Sequence, residues 1–186
     1  MDFITIDFET ANYSPNSACA IGLVKFINGE PADTYYSVIR PPKLYIRPDF
    51  TDIHGLTVND VRDAPRFNEL WDSAIKPFIG DKLPLAAHNA SFDMDKLSSV
   101  LKHYNLPVPG YKYFCTLNIA RCTWPNLKSH ALASLAKEFG ITYNAHHALD
   151  DALTCGKIVL MSAEKHGSKN IKELMSVLKQ KMLIME

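Results

Sequence analysis

Three short segments carry the side chains best suited to chemistry. Asp7 and Glu9 sit two apart in an alternating stretch, which as a strand would send both carboxylates from the same face. Neighbouring carboxylates repel unless a cation lies between them, and oxygen-only donors suit magnesium or manganese better than zinc. The second segment is His88-Asn89-Ala90-Ser91-Phe92-Asp93, and the third is His146-His147-Ala148-Leu149-Asp150-Asp151-Ala152. Each segment also has a plain structural reading. Asp7 and Glu9 can be a solvated surface pair, and Asp93, Asp150 and Asp151 can be first-turn charges favoured by a helix dipole.

The positioning elements follow from hydrophobic periodicity. Residues 2–9 place Ile4, Ile6 and Phe8 on one face and Phe3, Thr5, Asp7 and Glu9 on the other. A second strand is expected over 18–27, a tight turn at Asn28-Gly29, and a third strand over 32–40. The proline-rich stretch 41–53 reads as irregular, and Thr57 can cap a short helix through Arg62. A helix over 66–79, a buried strand over 84–87 and a helix over 91–104 come next. Residues 113–115 read as the last strand. Helices follow over 116–123, 130–139 (Ser129 as cap, Gly140 as stop), 147–166 and 169–182. Strands first, then strands alternating with helices, predict a mixed α/β sheet with helices packed on its faces.

Composition narrows the class. The 186 residues suit one domain, and neither a repeat nor a linker interrupts them. No apolar run approaches the roughly 18 residues of a membrane helix, and the first residues lack signal-peptide character, so a cytoplasmic protein without membrane attachment is expected. Cys19, Cys115, Cys122 and Cys155 have no Cys-x-x-Cys spacing and read as buried thiols. A net charge of zero argues against a tight duplex binder but not against an enzyme that holds one strand end. The six lysines and two glutamates over 157–181 read as a solvated helix face.

In this order and at these intervals, Asp7-x-Glu9, His88-Asn89-x-x-Phe92-Asp93 and His146-x-Ala148-x-x-Asp151 resemble the three exonuclease motifs of the DnaQ-like, or DEDDh, superfamily. That superfamily includes the proofreading epsilon subunit of bacterial DNA polymerase III, exonuclease X, ribonuclease T and oligoribonuclease. The resemblance covers about residues 3–160, and Ile53-His54-Gly55-Leu56-Thr57 is similar to a stretch between the first two motifs. It implies a ribonuclease H-like fold: a five-stranded mixed sheet flanked by helices, with C-terminal helices to 182. It further implies a 3′–5′ exonuclease that releases nucleoside 5′-monophosphates. Asp7, Glu9, Asp93 and Asp151 would hold two divalent cations, Mg²⁺ or Mn²⁺, with His146 as general base. Thr10 would hold the 3′-hydroxyl. Phe8, His54, Asn89 and Phe92 are candidates for stacking on or positioning the terminal nucleotides, although Phe8 and Phe92 also read as core.

The family pattern selects His146 over His147, although His147 shares a helical face with Asp151. His146 is therefore expected on a loop ahead of the helix. The expected partner is the 3′ end of a nucleic acid strand, single-stranded DNA being favoured. RNA as substrate and a catalytically dead binding module remain the alternatives. Proofreading subunits usually carry a further polymerase-binding segment, and the chain stops at Glu186. A free-standing exonuclease related to exonuclease X is favoured over a polymerase subunit, and oligomeric state is left open.

Overall fold

The alternation of the first strand sorts its side chains into two apolar layers. In the computed structural model, which describes residues 1–186, β1 (Phe3–Thr10) buries Ile4, Ile6 and Phe8 in one layer and Phe3 in the other. It pairs antiparallel with β2 (Ala18–Ile27), which pairs antiparallel with β3 (Glu30–Val38). Asn28 and Gly29 have φ of 54° and 84°, the positive pair that a two-residue hairpin turn needs. The strand resumes directly after them, so β3 begins and ends two residues before the expected 32–40. β4 (Leu85–Ala87) lies parallel to β1, and β5 (Lys112–Cys115) lies parallel to β4.

Several helices differ from expectation for local reasons. α1 (Pro48–His54) forms inside the stretch expected to be irregular. Pro48 sits in its first turn, where a missing N–H costs nothing, and Gly55 ends it at φ 76°. α2 (Val58–Val61) starts at Thr57, whose N–H donates to the Asp60 carboxylate at 2.7 Å. The helix expected over 66–79 consists of α3 (Phe67–Leu70), a π-helical turn (Trp71–Ile75) and α4 (Lys76–Ile79). Pro77 has no N–H to offer back along the helix, and a widened turn ahead of it accommodates its ring.

α5 (Ala90–His103) follows β4, and α6 (Thr116–Thr123) follows β5. α7 (Leu132–Glu138) is shorter than the expected 130–139. Ala131 is its cap residue, and Ser129 Oγ accepts from the Ala131 N–H just ahead of it; Gly140, at φ 66°, stops it as expected. α8 (Ala148–Lys165) is the longest helix. α9 (Ile171–Val177) ends short of the expected 182 because Lys179 turns left-handed at φ 54° and the Gln180 N–H closes onto the Met175 carbonyl. The chain then returns to the sheet as β6 (Leu183–Ile184), antiparallel to β5. The sheet order is β3-β2-β1-β4-β5-β6, six strands instead of five, and β5 is not the last.

The 67–79 helical run and α5 cover one face of the sheet with Phe67, Trp71, Ile75, Met94 and Leu97. α8 and α9 cover the other, where Val159 and Leu174 meet Phe3, Phe26 and Phe114. Cys19 and Cys155 are buried, but Cys115 is half-buried and Cys122 exposed, so the expectation of four buried thiols fails for two of them. No helix is long and apolar enough to cross a membrane.

Two glycines set how closely α8 approaches the sheet. A Cβ on Gly22 of β2 would lie 2.3 Å from the Ala148 backbone, and one on Gly156 would lie 2.2 Å from the Phe26 ring. Backbone cannot yield as a flexible side chain can. Gly22→Ala is therefore expected to cost about 3 kcal/mol, the upper end of overpacking penalties, in urea denaturation. Wild-type stability of that variant would show that α8 can move away from β2.

Candidate active site

Gly22 pairs with Asp7 across the β1–β2 ladder, so the start of α8 lies directly beside the acidic pair. One turn further along α8 is Asp151. Carboxylate oxygens of Asp7, Glu9 and Asp151 all lie within 4.8 Å of one another. The fourth carboxylate arrives from the opposite layer. β4 is only three residues long and pairs with β1 no further than Thr5, which leaves the Phe8 N–H without a strand partner. Asp93, in the first turn of α5, accepts that N–H at 3.2 Å and is buried.

The four charges cannot coexist unaided. Burial, then the charges of Asp93, Asp151 and Glu9, pushes Asp7 well above the usual carboxylate range. Burial and then Asp151 push Glu9 up to about 8. Burial also raises Asp93 against the opposing Phe8 hydrogen bond, and raises Asp151 against the opposing influence of His146. Mutually repelling oxygen donors, largely withdrawn from water, fit a hard divalent cation. The chemistry of the donor set therefore fits a divalent cation at Asp7, Glu9 and Asp151, with Asp93 beside them.

Residues 4–159 match the family model described as Exonuclease. The chain belongs to this exonuclease family. It falls within the DnaQ-like 3′–5′ exonuclease superfamily, as its motifs imply. It is 31% identical over 169 residues to the 3′-5′ exonuclease DinG of Staphylococcus aureus (strain MRSA252). That match covers 88% of this chain and 18% of the relative, so the chain spans under a fifth of that protein's length. Among solved structures, exonuclease X in complex with 5′ overhanging duplex DNA is similar with a TM-score of 0.74 at 23% identity, covering 95% of this chain and 99% of that one. The nuclease domain of 3′hExo, a DEDDh family member bound to rAMP, gives 0.76 at 18% identity, covering 90% and 94%. At such identities the likeness speaks to the fold, which is the ribonuclease H-like exonuclease architecture.

Around the exonuclease carboxylates the remaining expected residues divide. A β-bulge between Glu9 and Thr10 breaks the register with β2 and leaves Thr10 at the strand's end. His54 accepts the Leu56 N–H at Nδ1, so its Nε2 carries the proton and donates to the Thr10 carbonyl at 3.1 Å. Burial lowers the His54 pKa, which agrees with this neutral tautomer. His54 thus holds the Thr10 backbone. Phe8 departs from its expected stacking role: its ring is 4% exposed in the core beside Phe67, and only its backbone reaches the site. Asn89, at φ 75°, and Phe92, 42% exposed, stand on the open rim.

His146 lies on the loop ahead of α8 at φ 63° and is exposed, as expected. His147 is the residue before α8. Its ring packs on Tyr36 at 4.6 Å, and its Nδ1 lies 3.3 Å from Asp150 Oδ2. Sequence reasoning missed Tyr143. Burial and the neighbouring Asp151 and Asp7 charges push its hydroxyl up to about 12. Its only sequence signal was a tyrosine three residues before His146, which no periodicity singles out. A cavity of about 810 Å³, lined by Lys82, Tyr111, Lys112 and Lys172 among others, lies at the amino ends of β4 and β5, away from the carboxylates.

An acid whose folded pKa exceeds its unfolded value binds protons more tightly when folded, so its contribution to stability falls as pH rises between the two. For Glu9 that window runs from 4.5 to about 8. The stabilisation that magnesium gives by mass action should therefore grow from pH 5 to pH 8, read as the melting temperature with and without metal. A pH-independent metal effect would contradict the shared-charge site. Asp93→Asn keeps an acceptor for the Phe8 N–H and removes one charge. Without metal, this variant should be at least as stable as wild type; marked destabilisation would make Asp93 a structural cap.

Proposed function

We propose that the chain is a 3′–5′ exonuclease domain that hydrolyses the terminal phosphodiester of a nucleic acid strand, single-stranded DNA ends being favoured, and releases nucleoside 5′-monophosphates. The observation that carries this reading is the convergence of Asp7, Glu9 and Asp151 within 4.8 Å, with buried Asp93 beside them. Asp7, Glu9, Asp93 and Asp151 would hold two divalent cations, Mg²⁺ or Mn²⁺, which when bound activate water and neutralise phosphate charge. Residues 1–186 are read as one exonuclease unit, cytoplasmic in setting, and free-standing activity is favoured over polymerase association.

The chain's own groups supply the rest. His146 takes the proton of the attacking water, a task that imidazole side chains commonly perform. Its place on an exposed loop supports this role, since an imidazole there can approach the substrate and then release its proton. His147 is engaged with Tyr36 and Asp150 and is not assigned that task. Thr10, its carbonyl held by His54, receives the 3′-hydroxyl. Asn89 and Phe92 position the terminal nucleotide at the rim. The likeness to exonuclease X in complex with 5′ overhanging duplex DNA supports DNA as substrate. The likeness to a nuclease bound to rAMP keeps RNA as the second reading.

Hydrolysis of a labelled oligonucleotide from its 3′ end should stop in excess chelator and return with magnesium or manganese; full activity in chelator would falsify the metal reading. His146→Ala should lower kcat by roughly 10²–10⁴-fold, the usual worth of a general base. His147→Ala should cost less than about tenfold by the same reasoning. Single-turnover rates at saturating metal compare the two, and a crippled His147 variant would move the base by one residue.

A further inference from the structure

Beyond the amino ends of β4 and β5 the two apolar layers of the protein part, and the cavity of about 810 Å³ opens between them. Leu83 and Tyr111 pack on the layer that α5 covers, while Met175 and Met182 pack in the layer that α9 covers. Two smaller cavities adjoin it. One, of about 430 Å³, shares Leu83, Pro84 and Met182 with it; the other, of about 540 Å³, shares Pro109 and Tyr111. The three form a continuous groove along this end of the sheet.

Backbone hydrogen bonds fix the walls. The Pro84 carbonyl accepts the Ile4 N–H at 3.0 Å, and the Tyr111 carbonyl accepts the Met185 N–H at 2.9 Å. The Met175 carbonyl accepts the Gln180 N–H at 2.8 Å. The methionine side chains in these walls adapt their shape to what they meet. Charge is distributed unevenly along the groove. The flanking cavities each add one lysine and one aspartate, Lys169 with Asp2 and Lys76 with Asp72. The central cavity has Lys82, Lys112 and Lys172 around it against Asp81 alone. All three of these lysines are exposed, and none is paired with a carboxylate. An apolar floor thus lies beneath a rim with excess positive charge.

We infer that this groove docks an acidic peptide segment of a partner protein, with an apolar side chain anchored in the central cavity and carboxylates on either side of it. The continuity of the groove suits an extended chain more than a compact molecule. The unpaired lysines complement acidic flanks, and Ser176 and Gln180 at the edge can bond the peptide backbone. The position leaves the catalytic end free. Pro84 lies beside Ile4, and Asp7 and Glu9 are three and five residues further along β1, about 10–17 Å away at strand spacing. A partner held here can tether the chain while the carboxylates face substrate. The inference goes beyond the exonuclease reading and does not depend on it.

The test is anisotropy titration of fluorescein-labelled short peptides at low ionic strength. Their central pair is Leu, Met, Phe or Trp, flanked on both sides by Asp and Glu; a control carries a Ser pair at the centre. At least one apolar peptide should saturate the wild-type chain, and the Ser control should not. The double variant Lys82→Glu, Lys172→Glu, which alters only exposed side chains, should weaken that binding at least about tenfold while keeping the wild-type melting temperature. Met182→Gln keeps the side-chain length and should also weaken it about tenfold by removing an apolar contact to the anchor. The absence of saturation by every peptide, or unchanged affinity in the double variant, overturns the inference. A labelled dodecathymidylate provides the remaining arm. Equal binding of this oligonucleotide by wild type and double variant supports a peptide site. A loss matching that of the peptides makes the lysines a nucleic-acid surface and overturns the proposal.

Discussion

Four carboxylates brought together out of water form an arrangement that the folded chain tolerates only at a cost. Burial and mutual repulsion drive Asp7, Glu9, Asp93 and Asp151 toward their neutral forms. The rest of the structure holds them there regardless. Asp7 and Glu9 lie at the end of a strand buried on both faces, and Asp151 is carried by a long helix wedged against the sheet. A site so strained electrostatically gains most from a bound cation, because the cation binds the folded arrangement and finds no comparable cluster in the unfolded chain.

The position of each carboxylate rests on an economy of backbone. Gly22 has no side chain, so α8 reaches the sheet close enough for Asp151 to join Asp7 and Glu9. β4 stops early, which frees the Phe8 N–H for Asp93. The bulge at Glu9/Thr10 then releases the chain from the sheet directly after the acidic pair. His54 and Lys96 tie down the chain from the bulge onward, one through the Thr10 carbonyl and the other through the Ser14 carbonyl. The four carboxylates therefore sit on strands and helices, while the loop after the bulge is braced from outside the sheet.

Much of this was legible in the sequence because it is local. A period of two in residues 2–9 put Asp7 and Glu9 on one face, and Asn28-Gly29 set the hairpin because few other pairs accept two positive φ angles. The start of α8 was also local, and it left His146 on the preceding loop. The choice of His146 over His147 came from the family pattern; helical spacing alone pointed to His147.

Tertiary structure alone decided the features that join residues far apart in the chain. These are the Phe8–Asp93 hydrogen bond, the Gly22–Ala148 contact, the Tyr143 hydroxyl near Asp7, and the return of residues 183–184 as an edge strand. The fate of Phe8 shows why. Its alternation was visible, but whether its ring faced a ligand or the core depended on Phe67, which lies nearly sixty residues away. Propensity and periodicity describe how a segment presents its side chains. What those side chains meet is settled by packing between segments, and no single segment encodes that.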